Sequence, residues 1–311
     1  MNKSSSQDSS DQAGNNKVDN QVLTICSFFS GLGFLDLGFE DCGFEIRFVN
    51  EYHLPFLDAY KFARGGLPPN VKTLYCSETI ENLHRANKTE YTKTILQAAK
   101  KKPSMFIGGP PCPDFSVGGK NRGKEGENGR LSQTYIDLIC EYKPTLFLFE
   151  NVKGLWRTKR HREFYESLKT KLHEHGYSLT ERLTNSLEFG AAQDRDRIFL
   201  LGVQKSYLKT KGLKSLSSFE WSKYMKYPGA CDIPKKSLAR SSLLPNPLPE
   251  ELTIDYWFRI NSVEEHPNAS HAFIPRAALP KFQTIVEGDD SRKSFKRLHR
   301  YRYSPTAAYG N

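Results

Sequence analysis

From about residue 21 onward, short apolar runs alternate with stretches whose apolar positions recur at helical spacing. The runs predict strands over residues 23–29, 45–50, 71–75, 105–107 and 146–150. Residues 161–175 give the clearest helix, with Phe164, Leu168 and Leu172 recurring every four residues and Gly176 as the stop. Residues 135–142, closed by Pro144, read the same way. Strand and helix in alternation predict an α/β fold: a parallel sheet with helices on both faces, completed by strands over 178–183 and 197–203.

The ends of the chain depart from this rhythm. Residues 1–20 carry almost no apolar side chains and predict a disordered tail, because they cannot offset the entropy of ordering. After Val203 prolines accumulate and no period is sustained, so 21–203 is expected to be one domain and 204–311 an irregular lobe. That lobe ends in Arg292, Lys293, Lys296, Arg297, Arg300 and Arg302 interleaved with Phe and Tyr. The mixture suits phosphate contacts with aromatic packing nearby, and equally a solvated surface over buried tyrosines.

Composition narrows the class. At 311 residues and 38% hydrophobic content the chain is long and apolar enough for one sizeable core and a smaller lobe. No run approaches the roughly 18 apolar residues of a membrane span, and the polar amino end lacks a secretory segment, so a cytoplasmic protein is expected. Cys26, Cys42, Cys76, Cys112, Cys140 and Cys231 form no C-x-x-C pair, which suggests neither a metal site nor a disulfide framework. The 45 Lys and Arg against 35 Asp and Glu leave +10, compatible with a polyanionic partner but first a matter of solubility.

Five segments carry candidate chemistry. The first strand runs into Phe29-Ser30-Gly31-Leu32-Gly33-Phe34-Leu35-Asp36, where two glycines let a turn pass close to a ligand before a helix starts. The second strand ends in Asn50-Glu51-Tyr52, and an acid at that tip is where a ribose hydroxyl pair is gripped. Together they favour an adenosine-bearing cofactor. A dinucleotide enzyme fits less well, since Asp36 stands at the third glycine of G-x-G-x-x-G. Residues 108–119 read GGPPCPDFSVGG, with glycines that permit movement, prolines that stiffen the approach, and Cys112 at the end of a strand. Such a cysteine is most simply a nucleophile; the alternative, a buried small residue, fits that context poorly.

The run 146–149 ends in Glu150-Asn151-Val152. A carboxyl at the lip of an apolar strand should have its pKa raised by desolvation, which suits a group that shares a proton, although a satisfied structural acid reads the same. In Gln193-Asp194-Arg195-Asp196-Arg197, strand alternation would put Gln193, Arg195 and Arg197 on one face and the aspartates on the other. Two guanidinium forks can then fix an anion or the oxygen edge of a base, with ion pairing to the aspartates as the competing reading.

In this order the motifs resemble the cytosine-5 DNA methyltransferases of bacterial restriction-modification systems. The resemblance rests on FSGLG at 29–33, Glu51, Pro111-Cys112, Glu150-Asn151-Val152 and Q-x-R-x-R at 193–197, and it covers about 23–203. It implies a Rossmann-like sheet that uses S-adenosylmethionine, followed by a small irregular target-recognition lobe. It implies cofactor contacts from Phe29, Ser30, Gly31, Gly33, Leu35, Glu51, Tyr52, Glu78, Thr79 and Pro110, and catalysis by Cys112, Glu150, Arg195 and Arg197. By resemblance Cys112 adds to cytosine C6, Glu150 shares a proton with N3, and the arginines hold the base oxygen. The implied substrate is double-stranded DNA with its cytosine rotated out of the stack, and residues 116–132, with Lys120, Arg122 and Lys124, suit a mobile cationic loop.

The chain departs from the family at three places. Pro113 stands where the family usually has glutamine, and Cys76-Ser77-Glu78-Thr79-Ile80 replaces its usual Asp-Ile, making Glu78 or Thr79 the adenine-edge residue. Residues 304–310 resemble a stretch late in the family's recognition domain, after which a helix and a segment beside the cofactor are expected. This implies a second polypeptide that supplies them, or a truncated chain, and predicts exposed apolar surface. Two other functions fit the same motifs: methylation of cytosine in RNA, and a non-catalytic subunit that recognises DNA for a partner. The intact Cys112, Glu150, Arg195 and Arg197 count against the latter, and the basic lobe favours DNA.

Overall fold

A computed structural model describes residues 23–65, 72–111, 127–238, 241, 243–271, 283–289 and 297–306. At its centre β1 (Thr24–Phe28) pairs in parallel with β2 (Glu45–Asn50) on one side and β4 (Ser104–Gly108) on the other. Outward lie β3 (Leu74–Cys76), beside β2, and β5 (Leu146–Val152), beside β4. The sheet ends in β8 (Asp196–Gln204) and β6 (Tyr177–Asn185), in the order β3-β2-β1-β4-β5-β8-β6.

The sheet is not wholly parallel as expected. β8 runs antiparallel to both β5 and β6, with Leu146 opposite Val203 and Tyr177 opposite Gln204. The stretch from Ser186 to Arg195 is shorter than the dozen or so residues that a parallel crossover needs, so the chain returns as a hairpin. Strand three is also displaced, starting at Leu74.

Alternation along the strands sends successive side chains to opposite faces. Cys26 and Phe28 pack with Phe48, Phe106 and Phe149 beneath α3 (Glu90–Lys100), α4 (Glu127–Tyr142) and α6 (Lys159–Glu174). Ile25 and Val49 face the other way, with Leu57 and Tyr60 of α2 (Leu54–Arg64) and the partly buried Leu35 of α1 (Phe34–Asp41). The two expected helices are present and start earlier than periodicity suggested. Because α4 begins at Glu127, the carboxyl part of the proposed loop 116–132 is helical, while its Lys120, Arg122 and Lys124 lie outside the described residues.

Beyond β8, α7 (Lys205–Thr210) still packs on the sheet through Leu208. A separate small core then forms from Ala230, Leu238, Leu248, Leu252 and Tyr303, joined by Leu187. The lobe is tied back to the sheet domain by a parallel pair, β7 (Gln193–Asp194) with β9 (Ser304–Pro305). Among the described residues no helix is long and apolar enough to cross a membrane.

Candidate active site

The glycine turn after β1 is built by strain-tolerant backbone. Gly31 has φ +56° and Gly33 φ +83°, a region where a side chain costs energy, and Phe29 itself sits at φ +53°. The two glycines serve different ends. A Cβ on Gly31 would meet nothing within 4 Å, whereas one on Gly33 would lie 2.3 Å from the Tyr60 ring. Gly33 is therefore required by packing against α2, and Leu35 is turned into the sheet core.

Glu51 closes the turn from the neighbouring strand. Its carboxylate accepts the Gly31 N–H at 2.8 Å and the His53 N–H at 2.8 Å. Ser30 donates its N–H to the Asn50 carbonyl, but its buried hydroxyl has no partner among the described residues. Asn50 reaches across to the backbone oxygen of Glu78 at 2.8 Å, which brings the tip of β3, with Glu78 and Thr79, to the same end of the sheet. Tyr52 stands exposed beside Glu51.

Beneath this turn lies a network that sequence reasoning missed. Asp36 is fully buried and accepts from Ser27 Oγ at 2.7 Å and Tyr60 Oη at 2.9 Å. Arg64 stacks 3.7 Å from the Tyr60 ring centre, donates to the Gly33 carbonyl at 2.9 Å and pairs with Glu40 at 2.8 Å. Burial pushes the Asp36 carboxyl up, against the pull of the two hydroxyls and of Arg64. Asp36 at the absent third glycine was the visible signal; nothing in the spacing pointed to Arg64.

The second group gathers at the ends of β4, β5 and β8. Glu150 is held by Arg197, Nε to Oε1 at 2.6 Å, and its carboxylate is a quarter exposed. Burial raises its proton affinity, while Arg197 and then Arg195 lower it. Gly108 and Gly109 sit where close packing leaves no room for a side chain. A Cβ on Gly108 would press 2.8 Å from the Tyr135 ring, and one on Gly109 would come 2.6 Å from Glu150 Oε2. Next to Glu150, the buried Asn151 donates to the Pro110 carbonyl at 3.5 Å, tying the acid's strand to the segment that leads to Cys112. Cys112 lies outside the described residues.

The Q-x-R-x-R segment is not one strand. The chain leaves β7 after Asp194 and enters β8 at Asp196, so Arg195 stands between two ladders and simple alternation fails there. Asp196 is paired with Lys153 of α5 (Lys153–Arg157), and both Asp194 and Asp196 accept from the Asn185 amide, at 2.9 and 3.0 Å. The competing reading, in which Arg197 pairs with the aspartates before it, does not describe its contacts: its Nε goes to Glu150, and its Nη1 to the Asp196 backbone oxygen. Arg292, Lys293 and Lys296 of the basic finish lie outside the described residues; Arg300 pairs with Glu287 at 3.1 Å.

Comparison with known proteins gives a consistent answer. A family model of C-5 cytosine-specific DNA methylases matches residues 23–304. The type II methyltransferase M.NmeDI of Neisseria meningitidis serogroup C is 51% identical over 293 residues, which are 92% of this chain and 69% of that protein. The type II methyltransferase M.FnuDI of Fusobacterium nucleatum is 35% identical over 64% of this chain, spanning 50% of its own length. The fold is similar to that of a prophage-encoded E. coli protein described as a DNA modification methyltransferase. The TM-score is 0.59 at 19% identity, covering 91% of this chain and 82% of that one.

Proposed function

The chain belongs to the C-5 cytosine-specific DNA methylase family, S-adenosylmethionine-dependent DNA methyltransferases of the type II restriction-modification kind, and from that premise we propose how its residues divide the work. Residues 21–203 form the catalytic and cofactor-binding domain, and 204–311 belong to a target-recognition lobe. The observation that carries the reading is the Glu150 carboxyl, lodged between the Gly109 backbone and Arg197 and tied through Asn151 to the approach to Cys112.

The cofactor fits the turn between β1 and β2. The buried Ser30 hydroxyl, without a partner among the described residues, supports a ligand there, as does the open space over Gly31. Phe29, Ser30 and Gly31 would line its amino-acid part, Glu51 would take the ribose hydroxyls, Tyr52, Glu78 and Thr79 would flank the adenine, and Pro110 would face the methyl-bearing end. When bound, S-adenosylmethionine supplies an electrophilic methyl carbon.

Cytosine C5 is a poor nucleophile until a nucleophile has added at C6. The Cys112 thiolate forms a bond to C6, and the C5–C6 pair shifts toward C5 while Glu150 shares its proton with N3. Arg195 and Arg197 hold the base oxygen, with Arg197 also fixing Glu150. After C5 has gained its methyl, with S-adenosylhomocysteine as the leaving group, the C5 proton leaves to solvent and the returning electron pair expels the Cys112 sulfur. None of this reaches a base inside a duplex, so the cytosine is rotated out first.

A second polypeptide is the proposed partner besides duplex DNA. Phe34 on α1 is 78% exposed and Phe62 on α2 is 89% exposed, with Leu37 and Leu54 also bare, which supports an apolar cover over these helices. The test of the function is transfer of labelled methyl to duplex DNA against transfer RNA. Label confined to C5 of cytosine in DNA supports the reading; label in RNA alone overturns it.

A further inference from the structure

The paired aspartates of Asp194-Arg195-Asp196-Arg197 pose an electrostatic problem. Each carboxylate is a natural partner for the adjoining guanidiniums, and an arginine drawn to its neighbour is lost to the acid across the sheet. At Arg197 the structure solves this by occupying the aspartates from elsewhere. Asp196 takes Lys153 on one oxygen and the Asn185 amide on the other. Asp194 takes the second hydrogen of the same amide.

Asn185 is built for this. It is the last residue of β6, lies directly opposite Asp196 in the ladder and is 4% exposed. Its side-chain oxygen accepts the Leu187 N–H at 3.1 Å, its backbone N–H is held by Glu188 at 3.1 Å, and both amide hydrogens point to aspartates. Rotation of the amide would put its oxygen against two carboxylates, so the orientation is fixed. The neighbouring Ser186 adds its N–H to the Arg195 carbonyl at 3.1 Å and its hydroxyl to the Gln193 carbonyl, closing the turn around Arg195.

We propose that Asn185 is a positioning residue for methyl transfer: its amide holds the Asp194 and Asp196 carboxylates away from the active-site arginines, so that Arg197 stays on Glu150. This rests on the function proposed above. Without the two amide hydrogens, the Asp194 carboxylate turns to the arginines, and Glu150 loses part of the positive charge that lowers its proton affinity.

The test is a double-substitution cycle in the full chain, with any partner needed for wild-type turnover. Asn185→Ser keeps an oxygen for the Leu187 amide and replaces the two amide hydrogens with one hydroxyl hydrogen on a shorter side chain, which cannot hold both aspartates; Asp194→Asn removes the freed charge. Asn185→Ser is expected to lower kcat roughly tenfold or more, to move the pH limb assigned to Glu150 upward, and to leave S-adenosylhomocysteine binding within about twofold. Asp194→Asn alone is expected to stay near wild type, and Asn185→Ser/Asp194→Asn to recover most of the loss and return the pH limb. A merely structural amide predicts a loss that the second substitution does not repair, and that result overturns the proposal. Collapse of the fold in both Asn185→Ser and the double variant overturns it likewise. A silent wild type sinks the function itself, and this proposal with it.

Discussion

Arg197 and Glu150 meet across the antiparallel β5 and β8 pair, Nε to Oε1 at 2.6 Å, with the Gly109 backbone closing the other side of the carboxyl. The acid is thus clamped between a charge and a wall. Both sides of the clamp are open to substitution.

Gly109→Ala places a methyl 2.6 Å from Glu150 Oε2, closer than real contacts allow. The carboxyl or the backbone leading to Cys112 must shift. Single-turnover methylation is expected to fall about a hundredfold and stability by about 1–3 kcal/mol, with S-adenosylhomocysteine binding retained by calorimetry. Undiminished turnover would show that the clamp has no part in the chemistry.

Removing the charge shifts a proton instead. Burial already raises the Glu150 pKa and Arg197 lowers it, so Arg197→Met should raise it further. The pH limb of kcat that belongs to this acid is expected to move to higher pH in Arg197→Met, read by initial rates across a buffer series. A shift to lower pH contradicts the assignment.

At the cofactor turn, Glu51→Ala removes the acceptor of the Gly31 and His53 amides together with the proposed ribose partner. Calorimetry is expected to find S-adenosylhomocysteine bound at least about tenfold more weakly, with the melting temperature lowered by only a few degrees. Equal affinity would remove Glu51 from the site.

Much of this was legible beforehand. β2 has the predicted bounds because Glu45–Asn50 carries the buried Ile46, Phe48 and Val49, although a register irregularity puts Ile46 and Val49 on one face and Phe48 on the other, and the turn after β1 needs glycine for a reason that sequence can see. The reversed direction of β8 was not legible, because apolar content marks a buried strand but not its direction. Nor were the long-range partners: Arg64 lies 31 residues from Gly33 in sequence, and no spacing rule connects them. Strand alternation misread residues 193–197 because the break at Arg195 depends on Asn185 and on Ser304 and Pro305, brought in by the lobe.

The buried acid beneath the turn gives a stability test. Asp36 has its pKa raised in the folded chain, chiefly by burial, so its contribution is fully present below its unfolded pKa of about 3.9 and is lost as pH rises through the folded value. Asp36→Asn cannot ionise. Relative to wild type its unfolding free energy is expected to improve as pH rises from about 4 upward, measured by urea titration at successive pH values. A difference that shrinks with rising pH contradicts the assignment.

The central claim is a covalent bond between the Cys112 sulfur and cytosine C6. Long duplexes with 5-fluorocytosine in place of cytosine, incubated with the protein and S-adenosylmethionine and run on a denaturing gel, test it directly, because fluorine cannot leave as a proton and the adduct persists. Wild type should migrate as a protein–DNA adduct and Cys112→Ser should not; an adduct that forms equally well with serine at 112 contradicts the account.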